Sequence, residues 1–81
     1  MEKIIGLTLK TLRKEANLTQ EQLAFNSDLD RTYISLLERG LRVPTIITVF
    51  KLSEALNIPP EEFIKLVRIS YENNTPKSIN R

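Results

Sequence analysis

Residues 18 to 40 restrict this chain more than any other stretch, because they fit two short helices with a tight turn between them. Leu18 is followed by Thr19-Gln20-Glu21-Gln22, a Thr-x-x-Gln capping box in which Thr19 and Gln22 each satisfy the other's backbone N–H. A helix is predicted over residues 20–26, with Leu23 and Ala24 on its buried side. Ser27-Asp28-Leu29 reads as a turn, and Asp30 is a favourable N-cap for the next helix. That helix is predicted to end near Arg39, with Gly40 as its left-handed stop.

Periodicity and capping residues mark three further helices. Ile5, Leu9 and Leu12 recur at helical spacing, so residues 3–15 are predicted to be amphipathic, with Lys3, Lys10 and Lys14 outside and Asn17 as the terminator. Pro44-Thr45 precedes a helix predicted over 46–56, with Thr45 as N-cap, Ile46, Val49, Leu52 and Leu56 buried, and Asn57 at its end. Pro59-Pro60-Glu61-Glu62 places proline and acids in a first turn, and a fifth helix carrying Phe63, Ile64, Leu66 and Val67 is predicted to about residue 70. From Glu72 the chain is polar and interrupted by proline, the pattern of a frayed tail. The expectation is an all-α, five-helix domain over 1–70, with helices 1 to 5 over about 3–15, 20–26, 31–39, 46–56 and 60–70, and a polar tail over 71–81.

Composition excludes several alternatives. With 81 residues, one small core just suffices. Cysteine and histidine are both absent, so disulfides are impossible, a zinc site would have to use carboxylates alone, and no cofactor is expected. No signal-peptide pattern and no membrane-length apolar run is present, so a soluble, cytoplasmic protein is expected with no membrane partner. Twelve basic against ten acidic residues give a net charge of +2, and no basic block stands out; a basic patch must come from folding.

The helix that begins at Arg31 divides into two arcs. At about 100° per residue, with Arg31 at zero, Ser35 lies at about 40°, Arg39 at about 80° and Thr32 at about 100°; Tyr33, Leu37 and Ile34 fall at about 200°, 240° and 300°. One arc is apolar and faces a core. The other offers guanidinium and hydroxyl groups, which can bond to base edges in a DNA major groove, arginine to guanine above all. Leu36, at about 140° on this scale, is expected to be exposed at the edge of that arc, where it could meet a thymine methyl or simply face water. A polar helix face is usually only solvated, so helix 3 alone does not decide the matter. The helix-turn-helix spacing with both caps is what favours DNA.

Ile5-Gly6, Leu12-Arg13, Leu18 to Ala24, Ile34, Leu37-Glu38-Arg39-Gly40, Pro44, and Leu52 to Leu56 together resemble the phage-repressor and Cro-like helix-turn-helix family, over roughly residues 4 to 66. Leu29 to Ser35 is similar to the recognition helix of restriction–modification controller proteins, short dimeric regulators of about this length. The resemblance implies a five-helix, lambda-repressor-like domain that binds double-stranded DNA as a homodimer on a pseudo-palindromic operator. It implies base-reading roles for Arg31, Thr32, Ser35 and Leu36. Gln20 matches a phosphate contact at the start of helix 2. Arg39 and Arg42 are placed for backbone charge or for plain solvation, and Tyr33 either packs with its hydroxyl toward a phosphate or only packs. Arg13 and Glu38 match a partly buried ion pair that ties helix 1 to helix 3.

Helix 4 departs from the pattern, since Ile47 and Phe50 stand where the family often has polar residues. Together with Phe63, Leu66 and Val67 they widen the apolar stripe, which suits either extra packing or an isologous dimer seam. Besides a homodimeric regulator, with RNA polymerase as a further partner if binding activates, two other classes compete. A phage or mobile-element repressor, or an antitoxin-like interaction module, would use the same fold. An enzyme is the weakest reading, because no histidine, cysteine, carboxylate motif or phosphate-binding glycine loop is present.

Overall fold

The computed structural model describes residues 1–74. Five helices follow one another: α1 (Glu2–Glu15), α2 (Gln20–Ser27), α3 (Arg31–Glu38), α4 (Ile46–Ala55) and α5 (Pro60–Asn73). No strand occurs among the described residues. Helix α5 runs three residues beyond residue 70, so residues 71 to 73 of the tail expected over 71–81 are helical; its part over 75–81 lies outside the described residues.

The helix ends are set by local chemistry. Thr19 and Gln22 form the expected capping box, with Gln22 N donating to Thr19 Oγ1 at 3.0 Å and Thr19 N to Gln22 Oε1 at 2.9 Å. Thr45 caps α4 by accepting from Thr48 N at 3.1 Å. Asp30 occupies the N-cap of α3, but its side chain makes no cap hydrogen bond there.

Four helices share one way of stopping. Asn17, Asp28, Gly40 and Asn57 all have left-handed φ values, between 59° and 74°. The next residue in each case closes back on the helix: Leu18 N to Arg13 O, Leu29 N to Ala24 O, Leu41 N to Leu36 O and Ile58 N to Ser53 O, at 2.9–3.1 Å. These are Schellman closures, and an apolar residue follows the left-handed one each time. Leu18, Leu29 and Ile58 pack on the core, so each turn redirects the chain and buries an apolar side chain at once.

The core is Leu9, Leu23, Ala24, Ile34, Leu37, Val49, Leu52, Leu56 and Phe63. Helix α3 packs on α1 and α2, α2 also meets α4, and α5 closes the bundle against α1 and α4. Burying each large apolar member contributes about 1.5–3 kcal/mol. One expected core residue is not in it: Ile46 is 62% exposed. The buried positions of α4 are Thr48, Val49, Leu52 and Ser53. They centre about 90° around the helix from Ile46, which lies in the first turn.

Ser53 is fully buried, and among the described residues its hydroxyl has no hydrogen-bond partner. An unsatisfied buried hydroxyl carries a desolvation penalty of about 1–3 kcal/mol. Ser53→Ala removes it and raises helix propensity, so the variant is expected to be more stable by about 1–2 kcal/mol. A higher urea midpoint with an unchanged slope is the check; a lower midpoint would show that the hydroxyl is satisfied in solution.

Candidate nucleic-acid interface

Helix α3 holds its two arcs apart as the sequence predicts. Ile34 and Leu37 are wholly buried and Tyr33 is half-buried against the core. Arg31 and Thr32 are exposed and Ser35 is half-buried on the opposite arc. Leu36, expected to be exposed, is half-buried, because it borders the packed arc that begins at Tyr33. Arg39 and Arg42 are both exposed, and Arg39 Nε reaches back to Ser35 O at a long 3.4 Å. Asp28, with its left-handed φ of 59°, sets the short turn between α2 and α3.

Arg13 and Glu38 form the expected buried pair. Arg13 Nε donates to Glu38 Oε2 at 2.6 Å and Nη2 to Oε1 at 3.0 Å, so the guanidinium grips both carboxylate oxygens. The hydrogen bond to Glu38 holds the Arg13 pKa above its ordinary value, so the guanidinium stays charged. Arg13 Nη1 also donates to Leu18 O at 2.9 Å, which fixes the carbonyl just before the Thr19 cap. Helices α1 and α3 and the start of α2 are therefore joined at one point.

Gln20 belongs to the same cluster. Its Nε2 donates to Glu38 Oε1 at 3.0 Å, a contact that the spacing of 18 residues concealed. The first residue of α2 is thus anchored on the last residue of α3.

The apolar residues of α4 and α5 divide differently from the expectation. Ile47 and Phe50 are 65% and 57% exposed, and Ile46 and Ile64 join them at the surface. Leu66 and Val67 are half-buried. Phe63 is only 1% exposed and belongs to the core of the single chain, so it is corrected from seam to core. Phe63 lies on the arc of α5 that faces α1 and α4, whereas Ile64 is turned about 100° away from it.

Among the described residues, no cluster of acidic side chains could hold a metal ion, and no helix is long and apolar enough to cross a membrane. What the surface offers is hydrogen-bond donors on a rigid helix. Residues 9–63 match the family model described as helix-turn-helix. The chain belongs to the helix-turn-helix family of DNA-binding transcription regulators. It is 37% identical over 67 residues to control protein C.BamHI of Bacillus amyloliquefaciens, covering 82% of this chain and 83% of that one. Its fold is similar to the restriction–modification controller protein C.AhdI of Aeromonas hydrophila, with TM-score 0.73 and 43% identity over 75% of this chain and 92% of the other. It is also similar to controller protein C.Esp1396I, solved as a tetramer with its natural 35 base-pair operator, with TM-score 0.77 and 34% identity over 84% and 90% of the two chains. The resemblance to controller proteins and the five-helix, all-α fold are both borne out.

Proposed function

We propose that this chain is a sequence-specific regulator that binds a pseudo-palindromic operator as a homodimer and controls a restriction–modification system. The observation that carries the reading is α3: donor groups of Arg31, Thr32 and Ser35 line one arc while Ile34 and Leu37 lock the other into the core. Arg31 reads guanine, Thr32 and Ser35 contact neighbouring base edges, and Leu36 meets a thymine methyl from the border of that arc. Gln20, Arg39 and Arg42 contact phosphates, where the N-terminus of α2 adds its own N–H groups, and the Tyr33 hydroxyl faces the same backbone. A DNA partner is consistent with work in the cytoplasm. RNA polymerase becomes a second partner if the bound dimer activates.

The test is selection from a randomised duplex library, followed by anisotropy titrations of the recovered duplex. Affinity should fall steeply and linearly on a log–log scale as salt rises. Arg31→Ala is expected to weaken the recovered duplex by about 1–3 kcal/mol and relax the preference at one base pair per half-site. Because Arg31 is exposed, its removal leaves the core intact. A folded Arg31→Ala protein with unchanged base preference would remove Arg31 from the reading face.

Ile47 and Phe50, with Ile46, Ile64 and Val67, form the seam that brings two copies together, whereas Leu66 lies on another side of α5, beside Leu7 and Leu12. Two recognition helices then meet major-groove faces about 34 Å apart. Phe50→Lys puts a charge into that seam and is expected to shift the protein to monomer in sedimentation velocity, with at least a tenfold loss of operator affinity. A wild-type chain that stays monomeric as concentration rises would instead favour the interaction-module reading, in which the same patch receives a different protein.

A further inference from the structure

We infer that Glu38 is a positioning residue for the DNA-backbone contact, acting through Gln20; this rests on the proposed role of Gln20 at a phosphate. Glu38 is the last residue of α3 and its side chain is almost wholly buried, yet one of its oxygens accepts from Gln20 Nε2 at the start of α2. A carboxylate offers only acceptors to its partner, so the nitrogen of the Gln20 amide must face inward and the flip of the amide is fixed chemically. The amide nitrogen carries a second N–H, and its direction is set by the first. Gln20 is half-buried, so this ordered group sits where the first turn of α2 meets solvent. A long, rotamer-rich side chain is therefore ordered before any phosphate arrives, and the ordering entropy is not charged against binding.

Arg13 makes this arrangement compatible with an anion. An unpaired carboxylate behind the α2 N-terminus would repel a phosphate, but the guanidinium of Arg13 contacts both oxygens and neutralises it. Arg13 also holds the Leu18 carbonyl, the residue before the capping box, so the backbone that carries Gln20 and the amide itself are fixed from one buried pair. The pair that joins α1 to α3 thereby aims the donor of α2.

The experiment is a double-mutant cycle read in binding. Wild type, Gln20→Ala, Glu38→Gln and the double variant are titrated by anisotropy against the labelled duplex recovered from the randomised library, at a temperature where each is folded by circular dichroism. Gln20→Ala should weaken binding about tenfold, the worth of a hydrogen bond to a charged group. Glu38→Gln should weaken it several-fold in the wild-type background and leave it within about twofold in the Gln20→Ala background, the mark of coupled sites. Equal losses in both backgrounds overturn the positioning role and leave Glu38 purely structural. If Gln20→Ala binds as tightly as wild type, the phosphate contact itself is overturned, and the positioning role with it.

A measurement on the wild type decides the matter even where Glu38→Gln does not fold. In the free protein one Gln20 side-chain amide proton should resonate downfield of the random-coil position, and the other should move only on addition of the duplex. Two unshifted amide protons in the free protein would overturn the inference.

Discussion

Glu38→Leu is expected to lower the unfolding free energy by about 3–5 kcal/mol, because it leaves Arg13 charged and buried without its partner. The total stability of a domain this size is about 5–15 kcal/mol, so a single substitution removes a large share of it. Three donor contacts converge on the carboxylate, two from Arg13 and one from Gln20, and all three are lost together. The double variant Arg13→Met/Glu38→Leu removes both charges and fills similar volume, so most of the loss should be recovered. Recovery stays incomplete because the Leu18 carbonyl loses the Arg13 donor, worth about 1 kcal/mol. Urea unfolding of the two variants beside wild type is the check. A single variant as stable as the double would mean that the buried charge finds water, and that the pair is not what holds α1 to α3.

How far the sequence reveals such a site depends on the range of the interaction. The helix ends were legible because their causes lie within a few residues: Thr19 and Gln22 cap each other, and Asn17, Gly40 and Asn57 mark left-handed stops. The polar arc of α3 was legible because a periodicity of 3.6 residues separates Arg31 and Ser35 from Ile34 and Leu37 whatever the neighbours are. The link from Gln20 to Glu38 was not, since only tertiary packing brings the start of α2 onto the end of α3. Helices α4 and α5 show the same limit from the apolar side. Their stripes are broad enough that several arcs could be buried, and packing against α1 and α2 selects the one with Phe63 inside and Ile46 outside. The orphaned hydroxyl of Ser53 is likewise a consequence of packing, with no local signal in the sequence.

Gly6→Ala should destabilise the domain by about 3 kcal/mol or more, in the direction opposite to helix propensity. On an open helix face, exchanging glycine for alanine gains about 1 kcal/mol. Gly6 lies inside α1 but is buried, with α1 pressed against the end of α3. A methyl group there would fall well inside contact distance of the Leu37 carbonyl oxygen, 2.7 Å from the Glu38 oxygen and 2.9 Å from its carbonyl carbon. These are backbone atoms and cannot rotate away, so the helices must separate, and overpacking of this kind typically costs about 1–3 kcal/mol even where side chains can adjust. The displaced residues are Leu37, a wholly buried core member, and Glu38, the partner of Arg13 and Gln20. The damage should therefore appear in two readouts. The urea midpoint falls, and under conditions where the variant remains folded its operator affinity falls as well, although Arg31, Thr32 and Ser35 are unchanged. An alanine variant with a raised midpoint would mean that α1 and α3 stand farther apart in solution, and that the close approach of Gly6 is not what sets the angle of α3.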